Sequence, residues 1–226
     1  MRKIDKSVAL PRSLQNAPTP NNAGEVDEKF YRADDVREQL LEDQHNKCAY
    51  CESRIPKEYN DVEHYRPKSI YYWLGHDWNN LLYSCPLCNR SYKNDDFPLV
   101  NEANRVTAPG SIANEEPLIV NPVTEDPLLH IRFNRYMAVD ITAQGKETIK
   151  MFQLNDRAEL VNDRKELYEL YIDQKKTLED AQKIIASPNL PKEFKNVLGE
   201  IITRSSKAIQ TYRSERRPYS GMLVKQ

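Results

Sequence analysis

Apolar positions along the chain fall into distinct textures. Phe194, Val197, Leu198, Ile201 and Ile202 recur at i, i+3, i+4, i+7 and i+8, which predicts a helix with one buried face. A second helix is predicted over roughly 156–186, ended by Ser187-Pro188-Asn189, because proline brings no amide donor to a helix interior. Another is predicted from about Val26 to Gln44, with Phe30, Val36, Leu40 and Leu41 supplying its apolar contacts. Residues 48–93 are rich in turns and aromatics, a texture that suits short strands. In 94–127, Pro98, Pro109, Pro117, Pro122 and Pro127 leave room only for short extended pieces such as Leu118-Ile119-Val120. A strand is expected around His130–Met137. The start of the chain is polar and interrupted by Pro11, Pro18 and Pro20; it reads as an arm docked on the body or on a partner. The expected organisation is an extended arm over 1–25, a central domain over 26–140 and a helical region over 141–226.

The chain has 226 residues, enough to bury a core without disulfide support. With 33 Lys+Arg against 34 Asp+Glu, the formal net charge is -1. That excludes a uniformly basic, nucleic-acid-coating protein, so any contact with nucleic acid must use a local patch. The opening MRKIDKSVALPRS has no apolar run of signal-peptide length, and no run approaches membrane-spanning length. The expectation is a cytoplasmic protein with no membrane partner. No internal repeat, low-complexity block or GxxxxGK[ST] phosphate loop is present, and only six glycines are available.

Four cysteines change the picture. Cys48-Ala-Tyr-Cys51 and Cys85-Pro-Leu-Cys88 are two CxxC pairs. Each two-residue gap lets both sulfurs face one ion, and two such knuckles complete a tetrahedral four-thiolate zinc site. In a reducing compartment this outweighs a redox dithiol or mere packing. Such a site is closed and structural, so chemistry needs a second centre.

Between the knuckles runs Val62-Glu63-His64-Tyr65-Arg66-Pro67-Lys68, and the second knuckle lies within Asn80-Leu81-Leu82-Tyr83-Ser84-Cys85-Pro86-Leu87-Cys88-Asn89-Arg90-Ser91-Tyr92-Lys93. An acid-His pair, a middle Asn and a final Asn resemble the signature of the HNH endonucleases, here falling on His64, Asn80 and Asn89. The resemblance implies an α+β fold: a ββα-metal (HNH, His-Me finger) core with two CxxC zinc knuckles, embedded in a mainly α-helical chain. Phosphodiester hydrolysis needs a general base near neutral pH, the role expected of His64. A catalytic Mg2+ or Mn2+ needs hard oxygen donors, expected from Glu63 and Asn89. By resemblance, Asn80 braces the loop carrying His64. Arg66, Lys68, Arg90 and Lys93 form the local basic cluster, with Arg66 expected to clamp the scissile phosphate. Glu63 stands where the wider superfamily more often has Asp, which alters reach to the metal. The bland reading of Glu63 is an ion pair with Arg66 or Lys68, and that of the last helix's stripe is internal core. His45 reads as a neighbour of the first knuckle, His76 and His130 as ordinary, and Arg213, Arg216 and Arg217 as a solvated helix end.

A narrower resemblance rests on CAYCE, VEHYRPKS, NLLYSCPLCN, the Phe-Pro-Leu at 97–99, LIVNPVTEDP and LNDRAELVNDR. These are similar to the HNH component of the Septu anti-phage defence system, the PtuB-like proteins, which also occur as retron-associated effectors. It implies one-metal hydrolysis leaving a 5′-phosphate, with DNA the favoured substrate and RNA such as tRNA the alternative. It also implies a partner PtuA-like ATPase and, in a retron setting, a reverse transcriptase with its msDNA. The competing reading is a non-catalytic zinc-ribbon module that binds nucleic acid or protein; a further one is a structural adaptor for the ATPase.

Overall fold

A computed structural model describes residues 1–56 and 61–224; the last two residues of the helical region expected over 141–226 lie outside it. The architecture is α+β. Its centre is an antiparallel pair, β1 (Asp61–His64) and β2 (Leu81–Ser84), in register from Asp61 opposite Ser84 to His64 opposite Leu81. All eight strand residues are buried. Strands of four residues cannot hold a sheet by themselves. Here the outer edge of β2 is satisfied by the Gln44 side chain, which accepts from Tyr83 N at 2.8 Å and donates to Tyr83 O at 2.8 Å, and by Ala49 N at 3.0 Å from the same carbonyl. A π-helical turn, Leu87–Lys93, follows β2 directly.

Upstream, the single helix expected over 26–44 is two. Arg12–Gln15 forms a short α1, Glu28–Tyr31 forms α2 with Asp27 as its N-cap, and Asp34–Asp43 forms α3. The break falls at Ala33, which is extended (φ -57°, ψ 151°). Asp34 and Asp35 then open a new helix at the end where acidic side chains are favoured, and the Asp35 carboxylate is held by Ser13 N at 3.0 Å and Ser13 Oγ at 2.7 Å.

The first residues lie along the body. Met1, Ile4 and Leu14 are buried, and Ile4 N donates to Pro122 O at 2.8 Å. The Lys6 ammonium bonds the carbonyls of Trp78 and Leu81 and stands 3.7 Å from the Trp78 ring centroid. Burial pushes the Lys6 pKa down to about 7 against the opposing pull of Asp43 and Asp77. Glu52 gathers Lys47, the Met1 amino group and the amide of Gly221. Burial alone would raise its carboxyl; the two cations and that amide hold it at about 2 instead.

Beyond the proline-rich loops, the strand expected around 130–137 is a hairpin, β3 (Ile131–Asn134) and β4 (Met137–Asp140), turned at Arg135 with φ 57°. Then come α4 (Ala143–Met151), α5 (Ala158–Ile185) and α6 (Lys192–Arg213). The last two pack together as an antiparallel pair. Near its base, Leu167 and Tyr171 are buried against Met222 and Leu223 of the terminal turn. The stripe expected to be buried on α6 is only partly so: Leu198, Ile201 and Ile202 are half-buried, whereas Phe194 and Val197 are 61% and 55% exposed. A two-helix layer buries one stripe against the other helix, and among the described residues no third element reaches the far end to cover the rest. No helix among the described residues is long and apolar enough to cross a membrane.

Gly145, in the first turn of α4, has no room for a side chain: a Cβ there would stand 1.9 Å from the backbone oxygen of His130. Gly145→Ala is expected to cost about 1–3 kcal/mol through this overpacking, read as a lower urea midpoint with an unchanged slope.

Candidate active site and metal centre

The two knuckles bring Cys48, Cys51, Cys85 and Cys88 together with their sulfurs all within 4.8 Å of one another. The Cys51 and Cys85 sulfurs are 3.8 Å apart, the edge of a tetrahedron with metal–sulfur bonds of about 2.3 Å, and far too long for a disulfide. Three of the four cysteines are buried and all are free. Polar groups surround the sulfurs: Ser84 Oγ lies 3.5 Å from Cys48 Sγ, Cys51 Sγ donates to Ser53 Oγ at 3.2 Å, and Cys88 N donates to the Cys85 sulfur at 3.5 Å. Soft thiolates in this geometry form a closed metal-binding cluster that suits zinc.

The second centre is a cleft of about 430 Å³ beside β1, lined by Glu63, His64, Lys68, Asn89 and Arg90, with Tyr31 at the end of α2 and Arg32 just after it. His64 Nε2 is 2.9 Å from the carbonyl of Gly75. A carbonyl only accepts, so Nε2 carries the hydrogen and Nδ1 keeps a lone pair. Burial, reinforced by Lys68 and Lys93 and only partly offset by the Gly75 carbonyl, pushes the His64 pKa down to about 3. The imidazole is therefore neutral near pH 7, and an anionic phosphate entering the cleft would raise its basicity. Tyr31 meets the ring edge-on at 4.7 Å.

Asn80 lies behind His64. It accepts from Arg66 N at 2.8 Å and donates to Arg66 O at 3.0 Å and Leu74 O at 3.1 Å. It ties the segment leaving β1 to the turn that precedes the Gly75 carbonyl, and it does not line the cleft. Glu63 is buried, 2.7 Å from the Lys93 ammonium and 3.3 Å from the Tyr50 hydroxyl through the same oxygen. Burial raises its carboxyl, with Lys93 and Tyr50 opposing.

The basic cluster expected from sequence does not assemble as one. Only Lys68 and Arg90 of the four reach the cleft. Lys68 donates to Tyr31 Oη at 2.7 Å, and Arg90 grips Asp61 with two bonds of 2.7 and 2.5 Å. Arg66 is turned away. It is buried in an ion pair with Glu115 between the rings of Tyr71 and Phe97, so it does not clamp a phosphate in this cleft. The Lys93 side chain is fully buried, its ammonium bonding Glu63 and the His64 carbonyl at 2.9 Å. A cation so enclosed needs a fixed counter-charge rather than a mobile phosphate. The alternative pairing of Glu63 with Arg66 or Lys68 is likewise replaced by Lys93. His45 lines a separate cleft with Glu215 3.8 Å away. His76 is structural, donating to Pro18 O and accepting from Asp27 N.

Residues 48–95, which carry both knuckles and most of the cleft lining, match the HNH endonuclease family. Over 218 residues the chain is 34% identical to the Septu protein PtuB of Bacillus mycoides (strain KBAB4), covering 86% of this chain and 74% of that protein. The chain belongs to the PtuB family. It is an HNH-type nuclease, and the non-catalytic zinc-ribbon reading is set aside. A second PtuB, from Bacillus thuringiensis, is 33% identical over 65% of this chain and 49% of its own length. A Septu protein PtuA of the Bacillus mycoides strain is 26% identical over 54% of this chain and 19% of its own length.

Several contributors to the site of this PtuB-family chain carry no local signal in its sequence. Tyr31 and Arg32 come from the end of a helix some thirty residues upstream, and the Gly75 carbonyl is a backbone group. Arg157, whose Nη1 donates to the Cys88 sulfur at 3.4 Å, sits in the LNDRAELVNDR stretch far beyond the second knuckle.

Arg66→Met is expected to act on stability. It leaves the Glu115 carboxylate buried with, among the described residues, Tyr71 Oη and Val106 N as its remaining donors, at a cost of about 3 kcal/mol. Denaturant unfolding compared with Lys68→Met separates the two: Arg66→Met lowers the midpoint strongly and Lys68→Met little.

Proposed function

We propose that this chain hydrolyses phosphodiester bonds at the Glu63–His64–Asn89 cleft, with DNA the favoured substrate and RNA the alternative. The observation that carries the reading is the His64 ring: its Nε2–H is committed to Gly75 O while it lines the same cleft as Glu63 and Asn89. Nδ1 is the atom that takes a proton from the attacking water. Asn80 keeps the ring in place. Glu63 and Asn89 offer a carboxylate and an amide oxygen, the hard donors that suit Mg2+ or Mn2+ retaining several waters. Such a cation, when bound, would offset charge on the departing oxygen. Lys93 lies against Glu63 and opposes the upward push of burial on its carboxyl, and Lys68 and Arg32 at the rim meet the phosphates flanking the bond. Cys48, Cys51, Cys85 and Cys88 hold Zn2+ as a structural ion.

The kinship to PtuB, and the stretch shared with a PtuA, support a role as the nuclease subunit of an anti-phage defence complex with a PtuA-like ATPase. They lend no support to the retron reverse transcriptase and msDNA that the sequence resemblance also allows. Co-expression with such an ATPase followed by size-exclusion chromatography checks the pairing, and a subunit that always elutes alone refutes it.

His64→Ala is expected to lower cleavage by at least about 10²-fold while zinc content stays at the wild-type value and circular dichroism shows a folded chain. The assay uses DNA and RNA side by side with Mg2+ or Mn2+ and the co-purified partner. Wild-type rates from the variant would reject the assignment, and cutting of RNA alone would reverse the substrate preference.

A further inference from the structure

Arg157 is an odd residue for its position. It is the residue immediately before α5 and makes no capping bond, although a cation at a helix N-terminus opposes the dipole and Ser, Thr, Asp or Asn is favoured there. Among the described residues no carboxylate pairs with it. Its guanidinium instead donates from Nη1 to the Cys88 sulfur at 3.4 Å and lies 5.4 Å from the Tyr92 ring centroid. Cys88 and Tyr92 belong to the π-helical turn that also carries Asn89 and Lys93. The segment before Arg157 is fixed independently: Leu154 is buried, and Asn155 clamps both backbone groups of Ala138 at 2.9 and 2.8 Å. The arginine is thus delivered to the sulfurs by a rigid support.

We propose that Arg157 is the counter-charge of the four-sulfur centre, brought to it from the start of α5. This rests on the reading of that centre as a zinc site. Four thiolates around one divalent cation leave about two negative charges in excess, in a largely buried place where water screens them poorly. A charge-assisted N–H···S bond draws off part of that charge and orients Cys88. The electrostatic cost of an arginine at the helix start is offset by the thiolates it faces. Arg157 is a positioning residue: it touches neither the cleft nor His64.

Purified full-length protein is compared as wild type, Arg157→Met and Arg157→Lys. Wild type is expected to hold one zinc per chain. In competition with a chromogenic chelator, Arg157→Met is expected to bind zinc about 10–100-fold more weakly, with most of the loss recovered in Arg157→Lys. With Co2+ in place of zinc, the sulfur-to-metal charge-transfer band of Arg157→Met is expected at longer wavelength, because a thiolate that loses an N–H donor gives up its electrons more readily. Circular dichroism confirms that each variant is folded, and Arg157→Gln, which keeps an N–H donor without charge, replaces Arg157→Met if that variant is insoluble. Zinc retention equal to wild type in the uncharged variant, or equal loss in it and in Arg157→Lys, overturns the proposal. Absence of zinc from the wild type itself overturns the zinc reading and the proposal together.

Discussion

The nuclease core depends on the convergence of four sulfurs. Its central sheet is two strands of four residues, too small to persist on hydrogen bonds and apolar burial alone. The knuckles bracket that sheet: Cys48 and Cys51 precede β1, and Cys85 and Cys88 follow β2. Drawing them onto one point fixes the end of β2 and the start of the π-helical turn, and β1 is held by its pairing with β2. His64, on the last residue of β1, and Asn89, the residue after Cys88, are then held across a common cleft. A closed thiolate centre takes no part in the chemistry, yet it sets the distances on which the chemistry relies.

A second theme is how a nearly neutral chain distributes its cations. Lys6 bonds two carbonyls on either side of Asn80, Arg66 pairs with Glu115, Lys93 pairs with Glu63, and Arg157 faces the sulfurs. All four are committed to holding backbone or side chains around the site. Among the described residues, Lys68, Arg32 and Arg90 line the cleft, and Arg90 already shares its guanidinium with Asp61.

Much of this was legible in the sequence wherever the signal is local. The CxxC spacing specifies a four-sulfur site because two residues are what a tight knuckle needs, and the acid-His pair with its downstream Asn residues marks the HNH core. The proline at 188 ends α5 close to where the pattern predicts, because proline breaks a helix whatever surrounds it. Charge was legible only as type. The letters Arg66, Lys68, Arg90 and Lys93 announce a basic cluster, but whether a basic side chain meets solvent or a buried acid depends on partners such as Glu115 and Glu63 that the fold brings close.

Short, fixed spacings thus encode the metal-binding frame and the HNH family signature. Tertiary structure alone decided which way each group points. It turned Arg66 and Lys93 inward, selected the His64 tautomer through a backbone carbonyl at Gly75, split the first long helix at Ala33, and left Phe194 and Val197 uncovered at the far end of a two-helix layer. The physical reason is the same in each case. Orientation and burial follow from contacts between residues distant in the chain, and no local pattern of residue types carries that information.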